Sequence, residues 1–339
     1  MSNILNTLKE LCVLPGPSGR EDRVREYIKA KAAPYADEIL TDNMGNLLVH
    51  VKGERKTDKK LMLAAHMDEV GLIINYITDE GYLKFDFLGS VDRRVVIGKR
   101  VFVGETAIPG IIGQKPMHLM SGDEKNRIPK LTDMYIDIGL SSKEQAQEMV
   151  SLGDFAVFDP SISEFGEGFI KAKAIDDRIG CAIMLELLKA SPVEAWFVFT
   201  VQEEVGLRGA QVAANRLQPD IALILEGTTA ADLPSQAGAA KVCIPGKGPV
   251  VPFMDGATIY NQELYKAITA VADKEGIAWQ TKTYISGGTD ASAIQRSGAG
   301  AKVAGIAAAV RYIHSPSCVA CINDFEDIYK LVKAYMGTL

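Results

Sequence analysis

The sequence predicts an α/β protein: a mixed, largely parallel sheet sandwiched by helices and interrupted by a small β-rich domain. Three observations carry that prediction. After Phe169, stretches with helical spacing alternate with short apolar runs, the order that produces parallel strands under crossover helices. Between Asp68 and Asp159 the texture changes to short β-rich runs punctuated by glycines such as Gly71, Gly81, Gly89 and Gly98, a spacing that suits a small barrel or sandwich. The first 68 residues share the α/β texture of the C-terminal part. The expected organisation is one α/β domain built from residues 1–68 and 164–339, with residues 69–163 inserted into it.

The elements follow in order. Leu5, Leu8 and Leu11 mark one face of a short helix, ended by the turn Pro15-Gly16-Pro17-Ser18-Gly19. Val24, Tyr27 and Ile28 mark a second helix, and strands are expected at Glu38–Thr41, Leu47–Val51 and Leu61–Ala65. In the β-rich segment Gly71–Ile77, Leu83–Leu88 and Arg100–Val103 read as strands, with one helix at Ser142–Val150. The alternation then runs through helix Asp177–Lys189, strand Ala195–Val201, helix Gly209–Arg216 and strand Ile221–Leu225. Helix Gln262–Lys274, extended Trp279–Tyr284, a short helix from Asp290, strand Lys302–Ile306 and helix Phe325–Met336 complete it.

Bulk properties exclude several functions. A net charge of −6 without a dense Lys/Arg block offers nothing to nucleic acid or to an acidic membrane surface, and Lys59-Lys60 and Arg93-Arg94 read as solvated surface. The longest apolar runs, such as Val303 to Val310, are about eight residues and far short of a membrane span. Met1 to Pro15 has no basic segment followed by an apolar stretch, and five irregularly spaced cysteines do not make a disulfide framework. The expected location is the cytoplasm.

The chemistry collects where strands stop. Glu203-Glu204 follow the apolar run Ala195–Val201, and a buried strand has no structural use for two adjacent carboxylates, which are costly to bury unless a cation pairs with them. His66 ends Leu61–Ala65, and Asp68, two residues on, faces the same side, where it can hold the second ring nitrogen of His66 or shape its loop. Asp176-Asp177-Arg178 opens a helix: one aspartate suffices as a cap, the other is free to bridge two cations, and Arg178 is available to neutralise spare charge. Glu226 ends Ile221–Leu225, and His314 lies in the loop after Lys302–Ile306. These are the carboxyl ends of successive strands, where open α/β sheets build their sites.

Taken one at a time, each feature has a structural explanation. A lone His-x-Asp is usually a satisfied strand end, and paired aspartates are usually caps; only their conjunction points to a site for two divalent metal ions. Two such ions carry +4, Asp176, Glu204 and Glu226 supply −3, and one hydroxide balances the sum. The nitrogen and oxygen donors favour Zn2+, with Co2+ or Mn2+ as feasible replacements. Of Glu203-Glu204, one carboxylate would ligate and the other would act as general base. Cys318-Val319-Ala320-Cys321 lacks the second ligand pair a structural zinc needs, Gly246-Lys247-Gly248 reads as a turn, and His50 and His118 have no acidic companions at useful spacing.

Five ordered motifs resemble the signatures of the tetrahedral (TET) aminopeptidases, a glutamyl aminopeptidase-like family of dinuclear zinc metallopeptidases. They are Ala65-His66-Met67-Asp68-Glu69-Val70-Gly71, Ala174-Ile175-Asp176-Asp177-Arg178, the run Gln202 to Ala210, Ser286-Gly287-Gly288-Thr289-Asp290-Ala291 and Ile313-His314-Ser315. The resemblance implies that His66, Asp176 and Glu226 bind one metal and Asp176, Glu204 and His314 the other, with Asp176 bridging. It implies Glu203 as general base, Asp68 as its catalytic partner, and a substrate pocket lined by Gly288, Thr289 and Asp290. It further implies a PDZ-like inserted domain that pairs subunits, assembly of the dimers into a dodecamer, and short peptides with a free N-terminus as substrates. The family often has Asp where this chain has Glu226, whose side chain reaches about one methylene further. A glycoside hydrolase using the paired carboxylates is the alternative reading; it would leave both histidines idle and offers only two tryptophans for sugar stacking.

Overall fold

The computed structural model describes residues 3–339; Met1, the first residue of the expected α/β domain, lies outside them. Among the described residues the strands are β1 (Glu38–Thr41), β2 (Leu47–Val51), β3 (Leu61–His66), β4 (Gly71–Ile77), β5 (Leu83–Leu88), β6 (Arg100–Val103), β7 (Ile108–Gly113), β8 (Tyr135–Asp137), β9 (Phe155–Phe158), β10 (Ser163–Phe165), β11 (Phe169–Ala172), β12 (Ala195–Thr200), β13 (Ile221–Thr229), β14 (Lys302–Arg311) and β15 (Cys318–Cys321). The helices are α1 (Ile4–Val13), α2 (Asp22–Ala32), α3 (Gly122–Lys125), α4 (Lys143–Met149), α5 (Ile175–Leu187), α6 (Arg208–Leu217), α7 (Gln262–Glu275), α8 (Asp290–Gln295) and α9 (Ile322–Met336).

Nine strands form one mixed sheet in the order β1-β2-β12-β3-β13-β14-β15-β11-β10, and β4 to β9 close into a separate barrel. The expectation of a largely parallel sheet needs correction. Parallel pairing is confined to β12, β3, β13 and β14, and both flanks are antiparallel. The tight β1–β2 and β10–β11 connections leave no room for a crossover helix, so those pairs must be antiparallel.

Both faces of the central strands are buried, which explains their unbroken apolar character. Leu61, Leu63 and Ala65 of β3 join the core under α1, α5 and α9, whereas Met62 and Ala64 pack against α6 and α8 on the other face. Behind the carboxyl end of β3 lies a buried ion pair. Lys173 Nζ donates to both oxygens of Glu69 at 2.6 and 2.7 Å, and the N–H of Gly16 donates to the same carboxylate at 3.2 Å.

Other boundaries shift. Strands β13 and β14 run several residues past their expected ends, so Glu226 sits inside β13 opposite Ala307 rather than beyond it. The segment Trp279–Tyr284 makes a single bridge at Gln280 instead of a strand, and β15 forms where Cys318 and Cys321 are both buried and free. The insertion carries the short α3 besides α4, closed by a capping box between Ser121 and Glu124. Gly246-Lys247-Gly248 is a turn whose amides at Gly246 and Gly248 donate to the Asp324 carboxylate. His50 does have an acidic companion, Glu194, at 3.0 Å. Among the described residues no helix is long and apolar enough to cross a membrane.

Candidate metal centre

Strands β3, β12 and β13 run parallel, so their carboxyl ends meet, and the side chains gathered there come from segments distant in sequence. His66 is the last residue of β3. Its Nδ1 lies 3.1 Å from the Asp68 backbone oxygen and 3.4 Å from Asp68 Oδ1. A carbonyl only accepts, so Nδ1 carries the proton and Nε2 presents its lone pair. His314 repeats the arrangement from the loop after β14: its Nδ1 donates to the Ser90 carbonyl of the barrel at 2.9 Å. Each imidazole is thus held by a backbone oxygen, with Nε2 turned inward.

Asp176 lies between the two rings. Its Oδ1 is 3.5 Å from His66 Nε2, and its Oδ2 is 3.5 Å from His314 Nε2. Glu226 Oε1 lies 3.2 Å from His66 Nε2, and Glu204 Oε2 lies 3.2 Å from His314 Nε2. Four donors at about 2.0–2.1 Å around a tetrahedral cation stand roughly 3.3–3.4 Å from one another, and one donor atom each of Asp176, Glu204 and His314 lie within 4.8 Å of one another, close enough to share an ion. Glycine makes the approach of Asp176 feasible. The Gly227 N–H donates to Asp176 Oδ1 at 3.2 Å, and a Cβ at position 227 would meet that oxygen at 2.8 Å.

Asp68 organises the neighbouring turn. Its Oδ1 accepts from the Glu203 N–H at 3.0 Å, and its Oδ2 accepts from the Glu204 N–H at 3.1 Å and from Ser18 Oγ at 2.6 Å. This fixes the Glu203-Glu204 backbone while leaving both carboxylates free to face the cluster. Glu203 Oε2 stands 3.9 Å from His66 Nε2, farther than the closest donors. Asp177 also lies close enough to His66 and Glu226 to complete a donor group. Both of its oxygens already accept, however, Oδ1 from the Gly180 N–H at 3.0 Å and Oδ2 from the His66 N–H at 3.1 Å. It therefore works as the helix cap, whereas Asp176 accepts a backbone N–H on Oδ1 alone and turns both oxygens toward the imidazoles.

The electrostatics call for positive charge. Burial pushes the Glu203 and Glu226 carboxyls well above their ordinary range, and neighbouring carboxylates push further. Glu204 is raised to about 7, chiefly by burial. Burial alone would lower the two imidazoles, but the acidic cluster outweighs it. His66, facing Glu226 and Asp176, is held well above its usual value, and His314 is raised to about 9. The side chain expected to neutralise this charge does not. Arg178 points the other way and donates to the carbonyls of Leu11 and Gly16 at 2.7 and 3.4 Å. Among the described residues no Lys or Arg side chain pairs with Asp176, Glu203, Glu204 or Glu226, and such a buried carboxylate cluster beside two imidazoles suits divalent cations.

The profile of the M42 glutamyl aminopeptidase family matches residues 45–331. The chain belongs to this family. It is 37% identical over 333 residues to a putative aminopeptidase of Acetivibrio thermocellus, covering 97% of each chain. Its fold matches a TET aminopeptidase from a marine-sediment Thaumarchaeota archaeon with a TM-score of 0.95 at 36% identity, covering 99% of this chain and 96% of the other. It also matches a Pyrococcus horikoshii TET1 peptidase that can assemble into a tetrahedron or a large octahedral shell. That TM-score is 0.88 at 35% identity, covering 99% of this chain and all of that one (100%).

In this M42 chain a cavity of about 180 Å³ opens from the carboxylate cluster, and Gly288 and Thr289 are among the residues that line it. Asp290 does not: it is buried behind the loop, its Oδ2 accepting from Thr200 Oγ1 at 2.6 Å. Its negative charge instead helps to raise Glu203. Sequence reasoning missed the Ser90 carbonyl, Gly227 and Lys282. The first is a backbone atom, and the other two have no local pattern that sets them apart.

Proposed function

We propose that this chain is a dinuclear metalloaminopeptidase that removes N-terminal residues from short peptides. The observation that carries the reading is Asp176, whose two oxygens face two different imidazoles, each supported by one further carboxylate. His66, Asp176 and Glu226 would hold one divalent ion and Asp176, Glu204 and His314 the other, with Zn2+ best suited and Co2+ or Mn2+ workable. When bound, such ions supply Lewis acidity toward the scissile carbonyl and acidify a water.

The protein's own groups do the remainder. Glu203, held by its amide to Asp68, takes a proton from the attacking water and returns it to the leaving amide nitrogen. Asp68 positions Glu203 and fixes the His66 tautomer through its own carboxylate and carbonyl. The side chain of the N-terminal residue enters the cavity beside Gly288 and Thr289, and its free amine stays near the acidic cluster. Within the division 1–68, 69–163 and 164–339, the inserted barrel would act as a PDZ-like pairing domain, with dimers as the building blocks of a dodecamer. All five cysteines are free and buried, which is consistent with work in the reducing cytoplasm.

The glycosidase alternative is weaker, because carboxylates within reach of two imidazoles do not flank an open sugar bond. The test offers matched short peptides with free and acetylated N-termini, before and after chelation and metal return. Cleavage of only the free peptides, lost on chelation and restored by Zn2+ or Co2+, supports the proposal; no cleavage by fully loaded protein refutes it. Glu203→Gln should retain both metals and lose about 10²–10⁴-fold in kcat.

A further inference from the structure

Strand β12 stops at Thr200, and each of the four backbone N–H groups that follow is taken by a side-chain oxygen instead of a neighbouring strand. The Val201 N–H donates to Asn46 Oδ1 at 3.0 Å and the Gln202 N–H to Glu21 Oε1 at 3.1 Å. The Glu203 and Glu204 N–H groups go to the two oxygens of Asp68. Gln202 has a φ of 55°, the left-handed conformation that is unfavourable for a residue with a side chain. Such a conformation persists only where its surroundings impose it. An acceptor withdrawn from this turn leaves a partly buried N–H without a partner and lets the backbone beside Glu203 relax.

Two of these supports come from the segment between α1 and α2. Glu21 is only 4% exposed, and its Oε1 also accepts from the Gly19 N–H at 2.7 Å, so one oxygen joins the N-terminal turn to the turn that carries the base. Ser18 is buried and donates from Oγ to Asp68 Oδ2 at 2.6 Å, the same oxygen that accepts from Glu204. The N-terminal turn is itself pinned from below. Lys173 Nζ donates to the Leu14 carbonyl at 3.1 Å, and Arg178 donates to the carbonyls of Leu11 and Gly16. The Glu69 N–H adds a further bond to the Gly16 oxygen at 3.0 Å. A Cβ at position 16 would meet Arg178 Nη2 at 2.8 Å, so glycine is what lets the guanidinium come this close. Arg178, turned away from the acidic cluster, holds the segment that reaches back to it.

We infer that Ser18 and Glu21 are positioning residues for the general base, holding the backbone of Glu203 from both sides. Glu21 acts through the Gln202 amide, and Ser18 acts through the Asp68 carboxylate that takes the next two amides. Neither residue lines the cavity beside the cluster. This rests on the aminopeptidase reading above and extends its machinery to the N-terminal turn. Glu203 has to meet the attacking water and then the leaving nitrogen, and a displaced carboxylate serves both positions poorly. A misplacement of about 1 Å can cost about 10²-fold in rate. Substrate binding makes no use of these contacts, so their loss falls on kcat and not on KM.

The experiment uses the metal-loaded enzyme, a free-amine dipeptide and matched variants. Glu21→Met keeps the length of the side chain and removes the acceptor, Glu21→Gln keeps the acceptor oxygen, and Ser18→Ala removes the hydroxyl donor. At full metal content Glu21→Met and Ser18→Ala should each lose about 10–100-fold in kcat, with KM within about twofold of wild type, and Glu21→Gln should stay near wild type. In the Glu203→Gln background the same substitutions should cost nothing further, because residues that act through the base then have nothing to position. In the metal-free chain, hydrogen exchange of residues 201–205 should be faster in Glu21→Met and unaltered in Glu21→Gln. Wild-type kcat and exchange in Glu21→Met overturn the proposal and leave the aminopeptidase reading intact. So does a kcat loss that Glu21→Gln shares equally, or one that is as large in the Glu203→Gln background as outside it. A fully loaded wild-type enzyme that cleaves no free-amine dipeptide removes the parent reading and this inference together. If Glu21→Met does not fold, Ser18→Ala taken through the same double-mutant cycle decides the matter.

Discussion

Gly227→Ala adds one methyl group, and the structure gives its consequence. The new Cβ would lie 2.8 Å from Asp176 Oδ1, 2.9 Å from Asp176 Cβ and 3.0 Å from its Cγ. Ordinary contact between carbon atoms begins at about 3.5 Å, so the aspartate or β13 must move by roughly half an ångström. Neither has slack. Asp176 is buried with its oxygens facing two imidazoles, and β13 is paired with β14 along its length, Gly227 opposite Ala308. Overpacking of this kind costs about 1–3 kcal/mol of stability. Because a catalytic constellation must hold to within about 0.5 Å, activity should fall about 10–100-fold, with a comparable loss of metal affinity. The assay is kcat/KM on a free-amine dipeptide at saturating metal, alongside calorimetric metal titration. Gly122→Ala is the control: it lies in α3 of the barrel, where an added Cβ meets nothing, and it should be neutral or slightly stabilising. Wild-type metal affinity and turnover in Gly227→Ala would refute the argument that Asp176 needs this close approach.

Two further outcomes follow from the charges. In the metal-free chain Glu204 titrates at about 7 and His314 at about 9, so cation uptake at neutral pH displaces protons from both. Affinity should therefore tighten as pH rises from about 7 to about 9, and titration calorimetry in buffers of different ionisation enthalpy should register proton release; pH-independent binding without release would contradict it. Glu21 is buried and desolvated, and its pKa is raised to about 7 from an ordinary 4.5. The folded chain then binds more protons than the unfolded one between these values, so the stability Glu21 contributes is present below about pH 4.5 and lost as pH rises through about 7. Both amides that reach Glu21, from Gly19 and Gln202, donate to the same oxygen, which Gln retains. Glu21→Gln in chelated protein should thus be more stable than wild type at pH 8, by an amount of the order of 3 kcal/mol, and no more stable at pH 4. Urea unfolding at the two pH values checks this.

What could be read from the sequence was whatever has a local signature. Apolar runs buried on two faces announce central strands, and an acidic pair after such a run is out of place unless it meets a cation; both features are visible in Ala195 to Glu204. The five named donor residues and the base converge in space because β3, β12, β13 and β14, which carry or precede most of them, are neighbours in one sheet. Long-range partners were not legible. Arg178 follows two aspartates in sequence, yet its guanidinium crosses to the N-terminal turn, a direction set by the packing of α1 on α5. Lys282 looks like any surface lysine within an extended segment; only the fold of the loop around it removes it from water. The antiparallel flanks were missed because β10, β11 and β15 are three or four residues long, too short for periodicity to declare itself.

The barrel is more than an appendage, because it supplies the oxygen that orients His314, and this dependence can be tested at Gly89. That residue has φ +87°, a conformation costly for any residue with a side chain, and an added Cβ would meet Val70 Cγ1 at 2.8 Å and Glu204 Cβ at 3.3 Å. Gly89→Ala must therefore push the loop away from the cluster, and Ser90, the next residue, must carry its carbonyl away from His314 Nδ1. Backbone strain alone would destabilise the barrel without reaching the metals, so the comparison is Gly98→Ala, also at positive φ (+75°) but with no atom near the added Cβ. If the barrel positions His314, Gly89→Ala should weaken the ion held by Glu204 and His314 about 10–100-fold, leave the His66 and Glu226 side occupied, and lower kcat. Gly98→Ala should lose stability only. Equal metal content and turnover in the two variants would mean that His314 finds its orientation without the barrel.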